Sequence, residues 1–269
     1  MEKHAHNLET LLKTSTDRRQ ALRWLLAGTV APLAGCGGSV EVSIGNISYS
    51  SPGTRCAIIP EETAGPYPGD GANYNSNGIA NALSLPGIVR SDIRTSIAGA
   101  SGVASGLPLT LTLRLVNTAT NCADLSGYAI YLWHCNQAGQ YSMYSSGISA
   151  ENYLRGVQVT DSNGSVTFLT VFPGCYDGRM PHVHFEIYPS LASATSAAGK
   201  IRTSQLTFPL ATLNEVYASS GYSASAANLA SISYATDNVF SDGTTLQMAA
   251  ISGSVSNGYS ASLTVGISA

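Results

Sequence analysis

The 269-residue chain carries 13 Lys and Arg against 16 Asp and Glu, with no basic run of the kind that binds nucleic acid. Only 11% of its residues are charged and 27 are glycine. With abundant Ser, Thr and Ala, that balance fits an all-β or exported protein better than a helical cytosolic one, and the length allows one large domain plus an N-terminal extra.

Residues 1–36 read as an export signal. Lys13, Arg18, Arg19 and Arg23 precede the apolar run "WLLAGTVAPLAG", which is too short to span a bilayer. "LAGC", Leu33 to Cys36, resembles a bacterial lipobox, so Cys36 is the expected lipidation site. "DRRQALR" resembles a twin-arginine signal with Ala21 where Phe is preferred. The expected product is an envelope lipoprotein, periplasmic or on the outer membrane, touching the membrane through its lipid alone. Residues 1–35 hold five Lys/Arg and three Asp/Glu, leaving 8 basic and 13 acidic residues, a net charge of −5. Residues 37–55 form a tether with little periodicity.

From Cys56 to residue 269 the pattern is of strands. "LPLTLTLRLV" sets Leu107, Leu109, Leu111, Leu113 and Leu115 on one face and Thr110, Thr112 and Arg114 on the other, the period of a half-buried strand. "YAIYLW" is a second strand. "VQVTDSNGSVTFLTVF" reads as a tight hairpin, with Asn163-Gly164 supplying positive backbone angles. "HVHFEIY", "TSQLTF" and "SASLTVGISA" follow. Residues 190–200 are looser, and the polar stretch 211–243 has room for short helical turns. These signals predict an all-β fold, an antiparallel β-sandwich with long loops. Cys56, Cys122, Cys135 and Cys175 allow one or two disulfides in an exported protein, in any of three full pairings. None has the CxxC spacing of a zinc knuckle.

The chemistry concentrates in "CYDGRMPHVHFEIY". As a strand, it turns His182, His184 and Glu186 to one side and Val183, Phe185 and Ile187 to the core. The two imidazoles, about 7 Å apart along the strand, can converge on one metal. Tyr176 sits on a glycine-flanked turn just before them, and Arg179 lies three residues before His182. A second tyrosine after a glycine, Tyr141 in "AGQYS", follows the strand that ends at Trp133. Tyrosinate is a hard oxygen donor suited to ferric iron, and imidazole also suits iron. Spacing alone leaves open two strand histidines with no ligand, and a copper or zinc β-sandwich. A three-histidine or thiolate-rich cluster, as copper or zinc would favour, is absent from the sequence.

"YLWHCNQAGQYS", "NYLRGVQVTDSNGSVTFLTVFPGCYDGRMPHVHF" and "TSQLTF", in that order, resemble the intradiol ring-cleavage dioxygenases, the ferric family of the catechol and protocatechuate dioxygenases. "CAIIPEETAGPYPGDG" resembles the opening of the catalytic domain in exported members. The resemblance implies Tyr141, Tyr176, His182 and His184 as ligands of Fe(III). It implies Arg179 as the group stabilising charge on the substrate, Tyr176 as a ligand that takes up substrate protons, and Gln205 as a supporting glutamine. Gln205 is set farther along the chain by the insertion "LASATSAAGK". Thr63 to Tyr67 resembles the substrate mouth, with Pro66 and Tyr67 as its contacts. A catechol-type substrate and O2 would be the partners, and a muconate-type diacid the product. A non-catalytic envelope lipoprotein on the same fold, binding aromatics or polysaccharide, is the alternative. Cys175, in place of a bulky aromatic, and "GPYP", in place of paired aromatics, are departures expected at the pocket rim.

Overall fold

The computed structural model describes residues 56–269; the expected export signal 1–36, Cys36 and the tether 37–55 lie outside the described residues. In chain order the elements are β1 (Asp70–Asn75), β2 (Gly78–Asn81), β3 (Pro108–Asn117), β4 (Ala123–Asp124), β5 (Ala129–Trp133), β6 (Arg155–Val159) and β7 (Ser165–Val171). After these come β8 (His182–Tyr188), β9 (Arg202–Thr207), α1 (Leu210–Tyr217), α2 (Ser223–Leu229), β10 (Ala250–Ser254) and β11 (Gly258–Ile267). Two sheets form an all-β sandwich. One runs β10-β11-β3, with β7 and the short β4 sharing the far edge of β3; the other runs β6-β5-β8-β9, and β1-β2 is a separate hairpin.

The alternation in β3 sets the core. Leu109, Leu111, Leu113 and Leu115 are buried against Ile130, Leu132, Val183, Phe185, Ile187 and Leu206 of the opposing sheet. Each such side chain contributes about 1.5–3 kcal/mol by leaving water. Among the described residues the named strands pair antiparallel with one exception: β11 runs parallel to β3, Tyr259 opposite Leu109 through Ile267 opposite Asn117. The 42 residues between β9 and β10 that hold α1 and α2 form part of the long connection that this reversal needs.

The expected hairpin at Asp161–Gly164 is corrected. The turn is tight, with Gly164 N–H donating to Asp161 O at 3.0 Å and Asp161 N–H to Ser165 O at 3.0 Å. Only Gly164 has a positive φ, +69°, and Asn163 does not. The strands then part: β6 pairs with β5 and β7 with β3, so the turn carries the chain from one sheet to the other. The turn and its glycine stand where the sequence puts them, Asn163 keeps an ordinary backbone, and the partner of each strand is decided by which core its apolar face joins.

Both faces of the β6-β5-β8-β9 sheet are covered. Its second face carries Ala129, Tyr131, Trp133, Val157 and Tyr188, packed with Tyr141 and Cys135. All seven residues of β8 are therefore buried, and its histidine face is an interior. The chain from Ile59 to Asp70 lies as a strap over that face. Glu62 N–H donates to Thr203 O at 2.9 Å, and Gln205 Nε2 donates to Thr63 O at 2.9 Å. Cys56 and Cys122 form the one disulfide among the described residues, while Cys135 and Cys175 are unpaired and buried.

Candidate metal centre

His182 and His184 open β8 directly after Pro181, and alternate positions put both rings on the strap side of the sheet. His182 Nδ1 lies 2.6 Å from Met180 O. A carbonyl only accepts, so Nδ1 carries the proton and Nε2 presents a lone pair. His184 is held differently: its ring stacks on Trp133 at 4.7 Å and 2° between planes, and its buried Nδ1 has no hydrogen-bond partner.

Two tyrosines from separate loops reach the same point. Tyr141 follows β5, its N–H donating to Ser145 Oγ at 2.9 Å while its carbonyl accepts from Ser145 N–H at 2.9 Å. Tyr176 sits on the turn before β8, pinned where Gly139 leaves no room for a Cβ against the Cys175 carbonyl. Around His182 Nε2 stand His184 Nε2 at 3.0 Å, Tyr176 Oη at 3.3 Å and Tyr141 Oη at 3.4 Å. One lone pair cannot serve three such neighbours as a hydrogen-bond acceptor. A cation can, because donors about 2.1 Å from one centre at right angles are about 3.0 Å apart.

Electrostatics agrees. Burial first, then the Arg179 charge, pushes His182 down to about 3, and burial and His182 hold His184 well below its ordinary value. Both imidazoles are thus neutral and able to ligate. Burial raises Tyr141 well above 10 and Tyr176 to about 12. Phenolate at neutral pH therefore requires a strongly Lewis-acidic ion among these atoms. Two phenol oxygens and two imidazole nitrogens, with no thiolate, fit ferric iron.

Arg179 lines the same chamber, its Nη2 donating to Gln205 Oε1 at 2.7 Å and its Nε to Asp237 Oδ2 at 2.9 Å. Gln205 stands opposite His184 in the β8–β9 register. Thus every expected site residue except Pro66 and Cys36 is brought to one place. The Tyr67 ring lies 4.9 Å from that of Tyr141, and a Cβ on Gly65 would lie 3.6 Å from the His184 ring. Pro66 is exposed, its carbonyl accepting from Asn73 Nδ2 at 2.6 Å, and Cys36 lies outside the described residues. Cys175 is a correction: it is not on the rim but fully buried in the core, its thiol 3.3 Å from Arg179 O. The odd side of the Tyr176 turn faces inward there.

Sequence reasoning missed Asp237. Fully buried, it accepts from Arg179 and, at 2.6 Å, from the Met180 N–H, while its second oxygen accepts from Val239 and Phe240 N–H. It thereby orients both the arginine and the turn that fixes His182. Nothing in the polar run around it marks it, since its partners lie 57 and 58 residues away.

The family model Dioxygenase_C, described as a dioxygenase, matches residues 91–187, which include all four converging donors and Arg179. The intradiol ring-cleavage dioxygenase from Tetranychus urticae superposes at a TM-score of 0.60 with 26% identity, over 79% of this chain and 95% of that one. The chain carries a dioxygenase family segment and shares the fold of an intradiol ring-cleavage dioxygenase. A second dioxygenase crystal structure, Tetur07g02040, gives 0.59 and 25% identity over 79% and 94% of the two chains. No curated protein matches the chain. In this intradiol dioxygenase fold the family segment ends at β8, so Gln205, Asp237 and the strap complete the chamber from outside it.

Proposed function

We propose that the protein is a non-haem Fe(III)-dependent intradiol dioxygenase of the cell envelope, cleaving catechol-type rings with O2 to muconate-type diacids. The observation that carries this reading is the gathering of Tyr141, Tyr176 and His184 within 3.4 Å of one unprotonated His182 nitrogen. Ferric iron, held by these four residues, would supply Lewis acidity toward a catecholate and redox reactivity toward dioxygen.

The chain's own residues divide the remaining work. Tyr141 is 1% exposed and locked in its loop, whereas Tyr176 is only partly buried on a turn. Tyr176 is therefore the ligand with more room around it, and its phenolate Oη would be placed to take up a substrate hydroxyl proton. Arg179 keeps its guanidinium fixed between Asp237 and Gln205, so it opposes negative charge on the ring oxygens without reorganising. Tyr67, Trp133 and Phe240 wall the chamber with rings that limit water.

Carboxylates that reach solvent stand near the mouth. Asp177 and Asp242 are exposed, and Glu62, whose Oε1 accepts from Gln247 Nε2 at 3.1 Å, is partly so. Neutral or cationic ring substituents therefore suit the mouth better than a carboxylate. Dioxygen uptake across catechols bearing neutral, cationic and anionic substituents tests the function. Stoichiometric uptake with a ring-opened diacid product supports it; uptake by none of them, in iron-loaded protein, favours a non-catalytic binder. Cys36, as a lipid anchor, would place the domain where exogenous aromatics arrive before uptake. Among the described residues no helix is long and apolar enough to cross a membrane.

A further inference from the structure

One row of residues crosses the β6-β5-β8-β9 sheet, each opposite the next: Arg155, Trp133, His184 and Gln205. With strands about 4.8 Å apart, the Arg155 backbone is about 10 Å from that of His184. Arg155 is 1% exposed, and it uses all five of its N–H groups. Nε donates to Ser142 Oγ at 3.2 Å, and Nη2 donates to Ser142 O at 2.9 Å and Tyr67 O at 3.0 Å. Nη1 donates to Pro68 O at 2.6 Å and Tyr131 Oη at 3.1 Å. Every acceptor is neutral, and among the described residues no carboxylate lies within ion-pair distance of it. Gly69, with φ +62°, is the residue that lets the strap close on it, since a Cβ there would lie 2.9 Å from Nη1.

The segments it joins are the two that flank the donor cluster. Ser142 adjoins Tyr141, and Tyr67 packs its ring on that same tyrosine. A buried cation with no carboxylate in contact is unfavourable by itself; beyond the buried Asp70 and Glu186, which Lys200 pairs, the phenol oxygens of the donor cluster offer it further anionic partners. We propose that Arg155 is a positioning residue of the active site. Its fork sets the Tyr141 loop against the mouth strap, and its unpaired charge favours the anionic ligands collected beside it. This rests on the proposed iron site.

Purified full-length protein is stripped of metal and titrated with ferric iron while the tyrosinate-to-iron absorption is followed, for wild type, Arg155→Met, Arg155→Lys and a surface control, Arg114→Gln. Supporting groups around a metal commonly carry about ten- to a hundredfold in affinity. Arg155→Met is expected to lose that much and to displace the band. Arg155→Lys, which keeps charge but not the fork, should retain more affinity yet show a raised KM for catechol. Should Arg155→Met not fold, the band and KM of Arg155→Lys against the Arg114→Gln control carry the test. A folded Arg155→Met with wild-type affinity and band overturns the proposal, and equal losses in the Lys and Met variants overturn the role of charge. A wild type that takes up no iron defeats the functional reading instead.

Discussion

Replacing Asp237 by Asn keeps the shape of the side chain and removes its charge. In the wild type this carboxylate holds Arg179 at 2.9 Å and the Met180 N–H at 2.6 Å with one oxygen, and two more backbone N–H groups with the other. An amide nitrogen in place of either oxygen would face donors it cannot satisfy. Removing one partner of a buried ion pair costs about 3–5 kcal/mol. Arg179 keeps its bond to Gln205 and 11% side-chain exposure, which places the loss near the lower figure, about 3 kcal/mol. For a domain of this size that lowers Tm by about 6–12 °C. Loosening Arg179 should also lower turnover about tenfold to a hundredfold, with iron content retained. The pH dependence has a definite sign. Burial alone would raise the Asp237 pKa, but the hydrogen bonds from Met180, Val239 and Phe240 and the Arg179 charge outweigh it and hold it below the ordinary value. Its stabilisation is thus present above the unfolded carboxylate value, about 3.9, and is lost as pH falls through the lower folded one. Calorimetry and denaturant titration at several pH values, beside steady-state rates, make the check. An Asp237→Asn protein with unchanged Tm and turnover would refute the reasoning.

Arg179→Ala should reduce kcat about a hundred- to a thousandfold, equivalent to about 2–4 kcal/mol, while leaving most of the iron bound; metal analysis beside stopped-flow rates separates the two. A catechol carrying a carboxylate should show a lower kcat/KM than its neutral analogue, and added salt should narrow the gap. Glu62→Gln with Asp242→Asn should narrow it as well, and a carboxylate-preferring wild type would contradict the acidic mouth. Cys36→Ser should abolish lipid attachment in the native host, read by mass spectrometry of the mature N-terminus, whereas a mature chain that starts at Met1 defeats the envelope proposal.

How far the sequence speaks depends on how local each cause is. Leucines at alternate positions dictate β3 because burial of one face needs no knowledge of the partner. The histidine strand was legible for the same reason, as were the short helices in the polar stretch, now α1 and α2. The sheet change at Asp161–Gly164 was not, because the same turn serves a hairpin or a crossing, and only tertiary packing selects one. The β1-β2 hairpin, mostly polar, gave no periodic signal. At the site, Tyr141, Tyr176, Arg179, His182, His184 and Gln205 were named from spacing and resemblance, and they do meet. Asp237 and Arg155 were not named, because their importance lies in whom they touch. Cys175 was misplaced because alternation cannot be read through a turn.

Iron content, with resonance Raman excited in the visible band, tests the central claim most directly, since it asks whether tyrosine oxygens bind the metal. Wild type should hold one iron per chain and show tyrosinate modes, with Tyr141→Phe and Tyr176→Phe each removing part of the signal. A protein that opens catechol rings without iron, or with iron but no tyrosinate vibrations, would contradict the account.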